Sequence, residues 1–150
     1  HFIVNDRVDL AHAAGADGVH LGPSDLPVSA ARAILGPAAI IGVSVASDEE
    51  VREAEAAGAN YLGVGAIYAT ASKADAGEPV GPEQLSRFSR LTQLPLIAIG
   101  GIRAENVPEL LRCGAAGVAV IRAVCGAENP VAAAQAFSSA FEGNPSTAAA

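Results

Sequence analysis

Asp6 follows the apolar segment 2–4, and Asp25 follows the apolar segment 18–21. If those segments are strands, the two carboxylates stand beyond successive strand ends. Such a pair can share one hard cation such as Mg²⁺, which takes one or two carboxylates together with substrate phosphate oxygens. Lys73 lies in a long polar stretch after segment 61–64 and supplies a positive charge for phosphate. Gly100-Gly101, after segment 96–99, lets backbone N–H groups approach an anion, with the tip Ile121-Arg122 ending the next segment. Each feature also has an ordinary explanation. An Asp before a helix is often its cap, a Gly-Gly pair is often demanded by a turn, and a lysine is often only solvated. His20, mid-segment, reads as a packed or hydrogen-bonded structural histidine, while His1 and His12 earn no role.

The elements that would position these groups are legible in the hydrophobic pattern. Apolar runs recur at 2–4, 18–21, 40–43, 61–64, 96–99 and 117–121. Runs this short, continuous and rich in Val and Ile read as parallel strands buried on both faces. Amphipathic stretches separate them. Val51, Ala54, Ala57 and Gly58 share one face, against Glu49, Glu50, Arg52 and Glu53 on the other. Ser47 with Glu50 three positions on is a capping-box pattern; Pro82 opens a helix, and Pro27 precedes the one holding Ala30, Ala31 and Ile34. The acidic residues Asp48, Glu49, Glu50, Glu53 and Glu55 form a solvated helix face. Three helix ends share one pattern, Ala14-Gly15-Ala16, Ala57-Gly58-Ala59 and Cys113-Gly114-Ala115, in which the glycine takes a left-handed C′ position.

Strand and helix alternate six times, the pattern of a parallel α/β fold. Eight units, needing roughly 200 residues, close a (β/α)₈ barrel. Six units in 150 residues leave two architectures: an open doubly wound sheet, or six units of a TIM barrel, incomplete as given. Polar or glycine-rich tips follow every strand, at Asn5-Asp6-Arg7, Gly22-Pro23-Ser24-Asp25, Ser44, residues 66–77, Gly100-Gly101-Ile102 and Ile121-Arg122. Barrel sites occupy that face, with paired phosphate loops after the last two strands.

Composition excludes other classes. Of the 150 residues 51% are hydrophobic and 17% charged, which excludes a disordered chain. Sixteen acidic residues against nine basic ones give a net charge of -7, so a basic footprint for nucleic acid or anionic membrane is missing. No apolar run reaches the roughly 18 residues of a membrane span, and the opening residues do not read as a signal peptide. Cys113 and Cys125 match no disulfide framework or metal motif and read as buried, reduced cysteines of a cytoplasmic protein.

Several blocks, Phe2-Ile3-Val4-Asn5-Asp6-Arg7, Gly15-Ala16-Asp17-Gly18-Val19-His20-Leu21-Gly22, Ile41-Gly42-Val43-Ser44, Gly65-Ala66-Ile67-Tyr68-Ala69-Thr70-Ala71-Ser72-Lys73 and Ala98-Ile99-Gly100-Gly101-Ile102, resemble thiamine-phosphate synthase in sequence and order. The resemblance implies a TIM barrel over residues 1–143, with 144–150 a flexible tail. It implies a Mg²⁺-dependent transferase joining hydroxymethylpyrimidine diphosphate to thiazole phosphate, giving thiamine phosphate and pyrophosphate. By position it makes Asn5 a diphosphate-side ligand and Asp6 and Asp25 the Mg²⁺ ligands. Ser44 becomes the pyrimidine contact and Lys73 the cation on the leaving diphosphate, these two being the catalytic pair. Thr70, Ala71 and Ser72 then bind the thiazole phosphate with Gly100, Gly101, Ile121 and Arg122.

The chain departs from the family pattern in three ways. Thr70-Ala71-Ser72-Lys73 stands where the family commonly has Thr-Pro-Thr-Lys, keeping both hydroxyls. Arg122 stands where many members have Ser. The family's Gln-x-Arg-x-x-x-Lys diphosphate loop would precede Asn5, so two βα units are expected to be missing at the start. The expected consequences are partly exposed apolar residues (Ile3, Val118, Val120), self-association through unpaired strand edges, and little synthesis by the chain alone. Two alternatives remain. A thiazole tautomerase on the same fold typically lacks the Asn-Asp pair and carries a histidine at the position of Ala66; a non-catalytic phosphate-binding fragment would bind without turnover.

Overall fold

The computed structural model describes residues 1–72 and 78–143. Lys73 and the tail 144–150 lie outside the described residues. Six strands, β1 (Ile3–Asn5), β2 (Gly18–Leu21), β3 (Ile40–Val45), β4 (Tyr61–Val64), β5 (Leu96–Ile99) and β6 (Gly117–Ala119), are hydrogen-bonded in chain order. Pairing is parallel, with Val4 opposite Val19, Val19 opposite Ile41, and Ala98 opposite Val118. Helices α1 (Val8–Ala13), α2 (Val28–Leu35), α3 (Asp48–Ala56), α4 (Gly81–Phe88), α5 (Val107–Arg112), α6 (Arg122–Cys125) and α7 (Pro130–Glu142) follow the strands, and a 3-10 turn (Ala104–Asn106) precedes α5. Sequential parallel pairing with helical crossovers is the TIM-barrel pattern and excludes the doubly wound alternative, whose strand order reverses at a switch point.

The chain divides into two compact units, one of His1–Gly63 with Leu91–Pro95, the other of Val64–Arg90 with Leu96–Ala150. The core of the first is Val8, Ala11, Val19, Leu21, Val28, Ala31 and Ile41, all buried, with Val4, Ala16, Leu35 and Val43 packed against it. Leu85, Phe88, Leu96, Ala98, Val107 and Leu110 are buried in the second. Four of the six strands have buried residues along them, but β1 and β6, at the sheet ends, have none. Ile3, Val118 and Val120 are accordingly half-buried.

Local signals act as the sequence predicts. Ser47 Oγ accepts from Glu50 N–H and Glu50 Oε2 accepts from Ser47 N–H, closing the capping box of α3. Gly15, Gly58 and Gly114 have φ of 60°, 85° and 95°, and the alanine after each donates to a carbonyl five residues back. That double closure lets the same turn end three helices.

Three expectations are corrected. Ala57 and Gly58 are exposed, because α3 ends at Ala56 and the turn carries them away; Val51, Ala54 and Ala59 are buried instead. Cys125 is an exposed free thiol in the last turn of the short α6, and Cys113 is only half-buried. The apolar run 117–121 also yields a strand only to Ala119, since Ile121 has turned to cap α6 and is 60% exposed.

Candidate active site

In the first unit, Asn5 ends β1 opposite His20 of β2. Asp6 follows with φ 63°, a left-handed conformation unusual for a residue with a side chain, and its N–H donates to His20 O at 2.8 Å. The N-caps of α1 and α2 are Arg7 and Pro27, so neither Asp6 nor Asp25 is a helix cap. Among the described residues no hydrogen bond or ion pair engages the exposed Asp6 carboxylate. Asp9 takes the neighbouring cation: Arg7 grips it through two N–H donors, and its carboxyl is lowered to about 2 chiefly by that hydrogen bond. Asp25 accepts from Gly22 N–H at 2.6 Å through one oxygen, while its own N–H donates to Gly22 O. This reciprocal pair holds the 22–25 turn, and the half-buried carboxylate keeps its second oxygen.

Ser44 lies within β3 rather than beyond its end; β3 runs one residue further, to Val45. The Ser44 side chain is exposed and its Oγ lies 2.9 Å from His20 Nε2, while His20 Nδ1 lies 3.0 Å from the Tyr61 hydroxyl. The His20 and Tyr61 rings stack with centroids 5.5 Å apart. Two glycines make the room. A Cβ on Gly42 would collide with the Tyr61 ring, and one on Gly63 would stand 3.0 Å from His20 Cε1. Burial pushes the Tyr61 phenol pKa up, so the ring is neutral at ordinary pH. Tyr61 was missed in the sequence because it sits at the start of a strand. The signal present there was a pair of strand glycines, which mark close approach of a bulky neighbour.

In the second unit the polar tips follow β4, β5 and β6. Ile67 N–H donates to Ile99 O, and Tyr68 N–H donates to Gly100 O at 3.0 Å, tying the segment after β4 to the end of β5. Thr70 Oγ1 accepts from Ser72 N–H at 3.2 Å, so this hydroxyl closes its own turn; Ala71 and Ser72 are exposed. Tyr68 donates to Glu109 of α5 at 3.1 Å, and burial, seconded by that carboxylate, pushes its phenol up to about 12. Gly100 and Gly101 have φ of 97° and 64°. A Cβ on Gly101 would stand 2.5 Å from Ala69 O and 2.9 Å from Tyr68 Cβ. The approach of residues 68–69 and the positive φ require glycine at Gly101 whether or not an anion binds beside it. Ile121 and Arg122 are exposed at the start of α6, and the pairing of Ile99 with Ala119 puts this tip on the same end of the sheet as Gly100-Gly101.

The hydrogen bonds thus bring Asp6, His20, Ser44 and Tyr61 together in one unit, and the 66–72 segment with the β5 end in the other. Among the described residues no three His, Cys, Asp or Glu side chains form a metal cluster. Asp6 and Asp25 each offer a hard oxygen donor with coordination capacity left, the donor type that suits a cation such as Mg²⁺.

Parallel strands hydrogen-bonded in chain order and alternating with helices, with polar groups at the strand ends, define the class of TIM-barrel proteins. The profile described as thiamine monophosphate synthase matches residues 1–124, and the chain belongs to that family. It is 51% identical to the thiamine-phosphate synthase of Haloarcula marismortui, across 94% of this chain and 68% of that one. It is 57% identical to a thiamine biosynthesis bifunctional protein of Symbiobacterium thermophilum, across 90% of this chain and 28% of that longer protein. The solved thiamine phosphate pyrophosphorylase of Pyrococcus furiosus superposes with a TM-score of 0.84 at 45% identity, covering 93% of this chain and 66% of that one. The chain thus spans about two thirds of its single-function relatives, 64% in the case of the Moorella thermoacetica enzyme. No helix among the described residues is long and apolar enough to cross a membrane.

Proposed function

We propose that the chain binds hydroxymethylpyrimidine diphosphate and thiazole phosphate and joins them, releasing pyrophosphate and forming thiamine phosphate. Family membership supports the reaction. The observation that carries it to particular residues is the Asp6 carboxylate, unengaged among the described residues, one position past Asn5 and hydrogen-bonded through its backbone to the strand that leads to Asp25. The C–O bond from the pyrimidine methylene to diphosphate breaks, and a C–N bond to the thiazole nitrogen forms. Cationic character grows on the methylene carbon while negative charge grows on the departing oxygens. Asp6 and Asp25 would hold Mg²⁺, which when bound offsets the leaving-group charge. Lys73 and Asn5 act on the same diphosphate, and Ser44 contacts the pyrimidine. Thr70, Ala71 and Ser72, with Gly100, Gly101, Ile121 and Arg122, hold the thiazole phosphate so that its nitrogen lies in line. The Arg122 guanidinium adds a phosphate donor where a serine would offer only a hydroxyl.

The tautomerase alternative is disfavoured by Asp6 and by Ala66, whose buried methyl (7% exposed) cannot move a proton. The test is release of pyrophosphate by the chain given both substrates, with and without Mg²⁺. Metal-dependent thiamine phosphate supports the proposal. Binding of thiazole phosphate without product marks a binding protein, and isomerisation of the thiazole alone marks the tautomerase. Self-association through β1 or β6 would appear as a light-scattering mass above 14.9 kDa.

A further inference from the structure

His20 has the two hydroxyls of Tyr61 and Ser44 on its two ring nitrogens, 3.0 and 2.9 Å away, and none of the three residues is fully buried. A neutral imidazole donates through one nitrogen and accepts through the other, whereas each hydroxyl can do either. Two directions of the chain follow. In one, Tyr61 donates to Nδ1, Nε2–H donates to Ser44 Oγ, and the serine proton is left to point outward. In the other, Ser44 spends its proton on Nε2. The two oxygens differ in kind. A phenol is far more acidic than an aliphatic alcohol, hence the better donor, and its oxygen is the poorer acceptor. Stacking of the rings and the space left by Gly42 and Gly63 keep the phenol seated against His20.

We propose that Tyr61 and His20 are positioning residues that fix the Nε2–H tautomer of His20 and so turn the Ser44 hydroxyl into a hydrogen-bond donor, aimed at an acceptor nitrogen of a pyrimidine ring. The consequence for substrate rests on the reading of Ser44 as the pyrimidine contact; the tautomer does not. Gly42 and Gly63 then serve the site through the side chains they admit.

The chain has three histidines, so ¹⁵N-imidazole labelling of the full 150-residue protein resolves each ring. The expected spectrum shows His20 as one tautomer, protonated at Nε2 and accepting at Nδ1, and Tyr61→Phe, which removes the donor at Nδ1, shifts it toward a mixture of the two tautomers. An Nδ1–H tautomer, an imidazolium, or averaged shifts in the unsubstituted chain would overturn the inference. Calorimetric titration with hydroxymethylpyrimidine diphosphate supplies the second readout. Ser44→Ala and His20→Ala should each weaken binding about tenfold, and the double variant should be no weaker than Ser44→Ala alone. His20→Gln, whose amide N–H can stand where Nε2–H does, should recover most of the loss. Additive losses, or no recovery by Gln, would show a merely structural histidine and overturn the relay. Unchanged binding by Ser44→Ala would instead overturn the reading of Ser44, with the tautomer still decided by the spectrum.

Discussion

The polar residues of the first unit are linked through side chains, whereas the segments after β4 and β5 in the second are joined to each other through backbone. Asp6, Asp25, Ser44, His20 and Tyr61 each present a titratable or hydroxyl group, three of them linked by side-chain hydrogen bonds. The contacts that tie the segment after β4 to the end of β5 are N–H to carbonyl, with two left-handed glycines pressed against residues 66–69. The first arrangement tolerates a change of functional group, because the backbone beneath keeps its own bonds. The second does not, because the functional element and the fold are the same atoms.

Gly101→Val should break that comparison hardest. The left-handed φ alone costs about 1–3 kcal/mol, and a Cβ 2.5 Å from Ala69 O adds strain, so a loss of about 3 kcal/mol or more is expected in urea unfolding. Any loss of thiazole-phosphate affinity in this variant reports the fold first. Thr70→Ala and Ser72→Ala are the cleaner probes of phosphate. If Gly101→Val unfolds with wild-type stability, the backbone-built description of the second unit fails.

Asp25→Asn tests the opposite behaviour. The amide oxygen still accepts from Gly22 N–H, so stability should change by less than about 1 kcal/mol. Loss of the charge should lower Mg²⁺-dependent product formation roughly a hundredfold. Near-normal turnover with unchanged Mg²⁺ dependence would remove Asp25 from the metal site.

Arg32→Ala sharpens the comparison inside the first unit, where a side chain does serve the fold. Its guanidinium donates to the carbonyls of Pro37 and Ala39, to Gly58 O at 3.1 Å and to Asn60 Oδ1 at 2.8 Å, and that same oxygen accepts from Ile41 N–H. The loop before β3 and the turn before β4 are held by one cation, and its removal should lower stability by about 1–2 kcal/mol with substrate binding spared. A melting temperature equal to the parent's would show the latch to be ornamental.

The smallest effect is expected at Arg7 and Asp9. The Asp9 carboxyl is depressed to about 2, so its contribution is complete above the ordinary carboxylate range and is lost as pH falls through about 2. Both groups are fully exposed, so Asp9→Asn should leave the melting temperature at pH 7 nearly unchanged while removing a carboxyl that titrates at about 2 from an NMR titration. A clear fall in melting temperature would mean the pair holds the start of α1 after all.

The sequence alone determined the succession of strands and helices, because each element is coded locally. Apolar runs at 18–21 and 61–64 became β2 and β4 at those bounds, Ser47 and Glu50 capped α3, and one glycine turn ended three helices. The same local code placed Asn5, Asp6, Asp25 and the Gly100-Gly101 pair at strand ends. It could not assign the reasons. Whether Asp25 was a cap or a turn clasp depended on where α2 began, and Gly101 owed its identity to residues more than thirty positions away. The joining of His20, Ser44 and Tyr61 spans 41 residues of chain. Only parallel register across β2, β3 and β4 brings such distant hydroxyls onto one imidazole, and register is a property of the assembled sheet.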